Sequence, residues 1–197
     1  MKALVIIASI CFILNKFFLL LPFGTKWVST KFKWFLGMLG AILFIIYFFS
    51  IGSPMLSTLE IGLTILTLYR FIVEEKRSQI IEYTLGIFTG IIVFILYLNM
   101  KNGFIQDTEL LGSWGMIIGT FFLIQDKLKM GFILYGIGHL FLVYFGYSKN
   151  ETVFWNLQLV QAFMCFSILI KEEENRYNAI SIIVCLYMLY IGYDLFV

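Results

Sequence analysis

Long apolar segments recur along the whole chain, and short polar connections separate them. A helix needs about 20 apolar residues to cross roughly 30 Å of hydrocarbon, because it rises about 1.5 Å per residue. Eight segments have this character, at residues 3–22, 33–50, 54–73, 79–99, 109–125, 129–147, 152–170 and 178–196. The pattern therefore predicts an all-α integral membrane protein with eight transmembrane helices.

Composition agrees with this pattern and limits the classes of function. The 197 residues are 61% hydrophobic and only 13% charged, whereas roughly a quarter of the residues of a soluble domain are charged. The short connections leave no room for a soluble domain, so a functional site has to lie between helices. We expect the lipid bilayer as a partner and no nucleic acid, because the basic residues flank membrane helices. No small-x-small cleavage site precedes Pro22, so the first helix is predicted to be retained.

The cysteines give no indication of a disulfide framework or a metal site. Cys11, Cys165 and Cys185 fall in separate predicted helices without paired spacing, and the chain has a single histidine, His139. Metal sites in proteins need several such ligands at defined spacings. We therefore predict neither a metal nor a cofactor.

Basic residues are distributed unequally between the two sides of the predicted bundle. Connections 1–2, 3–4, 5–6 and 7–8, with their flanks, hold eleven of the fourteen. The opposite side has Lys2, Lys101 and Lys149. Since positive residues favour the cytoplasm, the bias predicts a multi-pass protein of the cell membrane with both termini outside.

The two halves of the chain resemble each other. Helices 2 and 3 align with helices 6 and 7, and the matched positions include Lys31 with Lys127, Phe35 with Phe132, Tyr47-Phe48 with Tyr144-Phe145, and Glu74-Glu75 with Glu172-Glu173. Four helices in each half would give the two copies the same orientation in the membrane. We therefore predict two parallel repeats, residues 1–104 and 105–197, each a three-helix bundle plus a linking helix. Parallel repeats are typical of transporters that bind their ligand near the midplane.

Part of the second half resembles a known family of transporters. The stretch ELLGSWGMIIGTFFLIQDKLKMGFILYGIGHLFLVYFGY, followed by WNLQLVQAFMCFSILIKEE, is similar to the second three-helix unit of the PQ-loop and SWEET-like transporters, and most of all to the PnuC-type nicotinamide riboside transporters. This resemblance implies facilitated passage of a small polar metabolite, such as a nucleoside or vitamin.

Polar residues at helical spacing mark candidate ligand contacts in both halves. Helix 3 carries Ser57, Glu60, Thr64 and Thr67 on one stripe. A carboxylate at the depth of Glu60 is costly unless it is paired, hydrated or protonated. His139, near the middle of helix 6, is a candidate partner, and Tyr135 and Tyr144 flank it with hydroxyl groups.

Helix 7 adds an aromatic ring and three amides within seven residues, namely Trp155, Asn156, Gln158 and Gln161. An aromatic face and amide groups suit a flat polar ligand, because amides both donate and accept hydrogen bonds. Each of these residues also has a structural interpretation, since polar side chains hold membrane helices together. Together they predict a central ligand site without catalytic residues.

Two other functions are compatible with the sequence. One is a membrane-embedded hydrolase, because GTFFLIQDKLKMGFILYGIGHLFLVYF resembles the aspartate-to-histidine spacing of lysoplasmalogenase-like proteins, with Thr120 at the position of the aspartate. General acid-base hydrolysis would then rely on Glu60 and His139. The other is a non-catalytic membrane subunit of a larger complex.

Overall fold

A computed structural model describes residues 2–20, 30–73, 78–100, 103–125, 127–170 and 172–196. Within these residues the fold is all-helical. The eight α-helices, in chain order, are α1 Lys2–Leu20, α2 Thr30–Ser50, α3 Pro54–Val73, α4 Gln79–Met100, α5 Phe104–Ile124, α6 Leu128–Ser148, α7 Thr152–Phe166 and α8 Glu173–Phe196. A short 3₁₀ turn, Ser167–Leu169, follows α7.

The helix bounds follow the apolar pattern with local departures. Helix α3 has the predicted bounds, whereas α5 and α8 begin at Phe104 and Glu173, five residues before the predicted 109 and 178. The last two residues of the first predicted segment, 21 and 22, lie outside the described residues. The additional residues of α5 and α8 are largely polar or charged, so an apolar pattern does not include them.

Five helical segments of the described chain are long and apolar enough to cross a membrane, namely Lys31–Ser50, Pro54–Val73, Gln79–Met100, Leu128–Ser148 and Thr152–Leu169. A shorter apolar segment, Ala3–Phe18, lies in α1. These are features of a multi-pass membrane protein. Helix α5 is not among the five, and its first turn and a half carries Asp107 and Glu109.

Helices that are consecutive in the chain pack most extensively, as α1 with α2, α2 with α3, α5 with α6, and α6 with α7. The two halves meet where α1 contacts α7 and where α3 contacts α5, and α4 lies against α5. An aromatic cluster joins the halves, because Phe154 of α7 packs edge-on against Phe48 of α2 and Phe145 of α6, with ring centroids 5.3 Å and 6.4 Å away.

The turn between α2 and α3 has the same backbone hydrogen bond as the turn between α6 and α7. The Ser53 N–H donates to the Phe48 carbonyl, and the Glu151 N–H donates to the Gly146 carbonyl, each at 2.9 Å. The residue before each donor has a positive φ, 68° at Gly52 and 58° at Asn150. A left-handed residue followed by this bond is the Schellman ending of a helix, so two matching chain segments end their helices in the same way.

A buried carboxylate holds the beginning of α3 against α5. Glu109 Oε1 accepts hydrogen bonds from the Ser53 hydroxyl and from the Leu56 N–H, the latter at 3.1 Å. The first N–H groups of a helix have no partner within the helix, and the helix dipole favours a negative charge there. Glu109 therefore caps a helix of the other half of the chain.

Helices α5 and α6 approach each other through glycines. A Cβ atom added at Gly115 would lie 2.7 Å from the Gly138 Cα, and one added at Gly138 would lie 2.9 Å from the Gly112 carbonyl oxygen. The backbones of α5 and α6 are therefore in contact at these positions. Gly90 of α4 differs, because its added Cβ would meet no atom closer than 3.8 Å.

Candidate functional site

A cavity of about 180 Å³ lies between helices of both halves of the chain. Six helices contribute to its wall, namely α1, α2, α3, α5, α6 and α7. Its polar lining residues are Asn15, Lys16, Glu60, Thr67, Thr120, Tyr135 and Gln161. A larger groove of about 320 Å³ between α4 and α5 is lined almost wholly by aliphatic and aromatic side chains and offers no comparable chemistry.

Lys16, His139 and Gln158 form a buried chain of hydrogen bonds beside the cavity. Lys16 Nζ lies 2.7 Å from His139 Nε2, and His139 Nδ1 lies 2.6 Å from Gln158 Oε1. A lysine ammonium only donates, so Nε2 is the acceptor and the ring proton is on Nδ1, from which it is donated to Gln158. With Lys16 charged, His139 is thus a neutral imidazole whose Nε2 orients the ammonium.

Two further groups surround the Lys16 ammonium. Cys165 Sγ accepts a weak hydrogen bond from Nζ at 3.5 Å, and Nζ lies 5.6 Å from the centroid of the Tyr135 ring. An ammonium within about 6 Å of an aromatic face is attracted by the ring quadrupole. The Tyr135 hydroxyl is itself fixed by Thr120 Oγ1 at 2.8 Å.

Glu60 lines the same cavity from α3 and exposes only 6% of its surface. Its Oε2 is buried without a hydrogen-bond partner among the described residues. Lys16 and Glu60 line the same cavity, and no hydrogen bond joins them in the described part of the chain. The polar stripe of α3 continues to Thr67, which also lines the cavity.

The structure brings together five of the eight ligand residues predicted from the sequence. Glu60, Tyr135 and Gln161 line the cavity. His139 and Gln158 are buried and bonded to each other outside the lining, and His139 is bonded to Lys16, which does line the cavity. The sequence predicted both as ligand contacts, whereas in the structure neither lines the cavity.

The other three predicted residues lie away from the cavity. Tyr144 is 46% exposed and packs against Phe104. Tyr144 comes five residues after His139 in α6, which places it roughly 140° further around a helix of 3.6 residues per turn. Asn156, about 200° from Gln158 around α7, donates to the carbonyl of Thr152 in its own helix.

Trp155 is half-buried near the start of α7 and packs edge-on against Tyr147, which is 67% exposed. The indole therefore lies one turn before Gln158 on α7, outside the cavity lining. Tyr144, Trp155 and Asn156 are not placed to contact a ligand in this cavity.

Lys16 is the central residue that sequence reasoning missed. We interpreted it as a basic flank of connection 1–2, but it belongs to α1 and exposes only 9% of its surface. The neighbouring Asn15 was a possible signal, because two polar residues precede five more apolar ones inside the first predicted membrane segment. Buried lysines in membrane helices mark functional sites by default.

Among the described residues, no group of three or more histidine, cysteine, aspartate or glutamate side chains converges as metal ligands would. Comparisons of the chain with protein-family models, with curated proteins and with solved structures find no match. The helices and the cavity define the class: an all-helical protein with several helices long and apolar enough to span a membrane, and an internal cavity lined by ionisable side chains.

Proposed function

We propose that the protein is a multi-pass membrane transporter or facilitator that binds a small polar metabolite in the cavity between its two halves. The observation that carries this proposal is the lining, where the Lys16 ammonium, the Glu60 carboxylate and the Gln161 amide face one small space. Ionisable groups inside a membrane bundle are costly and typically mark substrate or ion pathways. No bond-making chemistry is required of them.

Two features of the fold support the parallel-repeat arrangement that this proposal includes. The repeat matches α1 with α5 and α3 with α7. The contact of α1 with α7 therefore corresponds to the contact of α5 with α3, and both are present. The matching turns at Gly52 and Asn150 are separated by 98 residues. The matched positions of the two halves are separated by a similar distance along the chain, 96 residues for Lys31 and Lys127 and 98 for Glu74 and Glu172. A cavity between such halves lies where a parallel-repeat transporter binds its ligand.

A cavity-filling substitution tests whether the solute passes through this space. Thr67→Phe places a ring in a cavity of about 180 Å³, and we expect it to lower uptake into proteoliposomes by at least about tenfold, since one lost ligand contact of roughly 1.4 kcal/mol already has this effect. Uptake would be measured with the solute that best raises the melting temperature in a screen of nucleosides, vitamins, sugars and amino acids.

Ile65→Phe is the matched control, because Ile65 is on the same helix but 46% exposed on its outer face. This variant should transport like the parent. Equal uptake by Thr67→Phe and the parent, at equal protein content, would show that the solute does not use the cavity.

The second candidate function is the hydrolase, which the presence of Glu60 and Lys16 in one cavity favours, because the two groups have acid-base capacity. Against it, both ring nitrogens of His139 are hydrogen-bonded, and His139 is not among the residues that line the cavity. Addition of lysolipids to the same screen distinguishes the functions. Release of a headgroup, lost in Glu60→Gln, would identify the enzyme.

We further propose a position in the cell membrane with both termini outside. Lys16 is buried and so no longer counts as a residue that flanks a membrane helix. The basic residues are then ten on the predicted cytoplasmic side and three on the other, so the bias that supports this orientation persists. Single cysteines at positions 2 and 197, in a background with Cys185→Ser, should both react with an impermeant maleimide added to intact cells. Protection of either position until lysis would reject the orientation.

A further inference from the structure

Lys16 and Glu60 bring two side chains of opposite charge type into the cavity from different helices. Lys16 belongs to α1 and Glu60 to α3, and both line the space while exposing less than a tenth of their surfaces. A buried charge loses its hydration and needs compensation from a partner. Each of these two groups has part of that compensation missing.

Glu60 lacks a donor, because its Oε2 is buried and has no hydrogen-bond partner among the described residues. Lys16 carries three N–H donors, of which one is used by His139 Nε2 and one, weakly, by Cys165 Sγ. One donor of Lys16 is therefore left over. The cavity thus has an acceptor without a donor, Glu60 Oε2, and a Lys16 N–H donor without an acceptor.

A ligand of a single charge does not meet both needs. A cation bound at Glu60 would also face the Lys16 ammonium, and an anion at Lys16 would face the Glu60 carboxylate. Like charges within a desolvated site repel strongly, because the surrounding dielectric constant is low. A ligand with an ammonium and a carboxylate leaves the occupied site electrically neutral and gives each ion a charge-assisted hydrogen bond.

We infer that the cavity accepts a small zwitterion of the amino-acid type, with its ammonium on Glu60 and its carboxylate on Lys16. This inference rests on the proposed transport function and specifies the class of substrate. The volume of about 180 Å³ suits a compact solute, and Leu63, Phe132 and Phe12 form an apolar part of the wall that can receive a short aliphatic side chain.

Binding to the purified wild-type protein tests the inference without any substitution. The probes are L-valine, N-acetyl-L-valine, which keeps only the carboxylate charge, L-valine methyl ester, which keeps only the ammonium charge, and uridine, which has neither. We expect valine to raise the melting temperature most, and each single-charge analogue to bind at least about tenfold more weakly, since each loses a charge-assisted hydrogen bond.

Two variants then assign the charges to their residues. Glu60→Gln should narrow the preference for valine over N-acetyl-valine, and Lys16→Gln should narrow the preference for valine over its methyl ester. Each preference is a ratio measured within one variant, so a loss of stability common to both probes cancels. Asn156→Ala, outside the cavity, should leave both ratios as in the parent.

The failures are distinguishable. If uridine binds and enters proteoliposomes while valine does neither, the zwitterion inference is overturned and the transport function stands. Equal binding of valine and its two analogues, or unchanged ratios in both variants, overturns the inference as well. If lysolipid is hydrolysed and none of the four probes binds or enters, both proposals fall.

Discussion

Gly138→Ala is expected to lower the free energy of unfolding by about 1–3 kcal/mol or more, the usual cost of extra volume in a packed interior. The added Cβ would lie 2.9 Å from the Gly112 carbonyl oxygen and 3.1 Å from the Met116 nitrogen. Both are backbone atoms, so no flexible side chain can move aside and α5 has to shift away from α6. Thermal unfolding in detergent, followed by tryptophan fluorescence, measures the effect.

Gly90→Ala is the control for this prediction. It makes the same chemical change in another apolar helix, where the nearest atom to the new Cβ is 3.8 Å away. Alanine is favoured over glycine in a helix by about 1 kcal/mol, so this variant should melt at the temperature of the parent or above it. Equal melting of the Gly138 and Gly90 variants would contradict the close α5–α6 contact.

The apolar pattern predicted the helices well because each helix of a bundle needs a long apolar face, and that requirement is local in sequence. Helix α3 shows how far such signals reach, since Ser53 and Pro54 mark its start. The partner of that start is not local. Glu109 lies 53 residues from Leu56. In a hydropathy pattern Glu109 only lowers the apolar character of its own helix, α5, and gives no sign of its contact with α3.

The site was predictable in part for the same reason. Spacing along one helix placed Glu60 and Thr67 on the stripe that faces the cavity. Asn156 and Gln158 lie about 200° apart around α7. The two cannot both face the interior of the bundle, so one of the two predicted ligand contacts had to be wrong. The contact of Lys16 with His139 spans 123 residues, and the local pattern shows only that Asn15 and Lys16 interrupt an apolar segment, not which residue Lys16 contacts.

Lys16 and His139 should be strongly coupled in a double-mutant cycle, which is the second large effect we expect. His139→Leu leaves the buried ammonium without its principal acceptor, and Lys16→Met leaves Nε2 without its donor. Loss of a hydrogen bond to a charged group costs about 1.5–3 kcal/mol, and removal of both partners costs less than the sum of the two losses. Gln158 stays unpaired in both variants that lack the imidazole, so its cost cancels within the cycle.

The free energies of unfolding of the parent, the two single variants and the double variant would be compared in one detergent, and we expect a coupling energy of about 1–3 kcal/mol, as for contacting groups. A parallel cycle with Lys129→Met and Tyr144→Leu is the control, because both residues belong to α6 and are exposed. Those two changes should add within about 0.5 kcal/mol. Additive behaviour of Lys16 and His139 would mean that the imidazole does not hold the ammonium at the cavity, and the charge arrangement proposed for the ligand would then lose its support from α6.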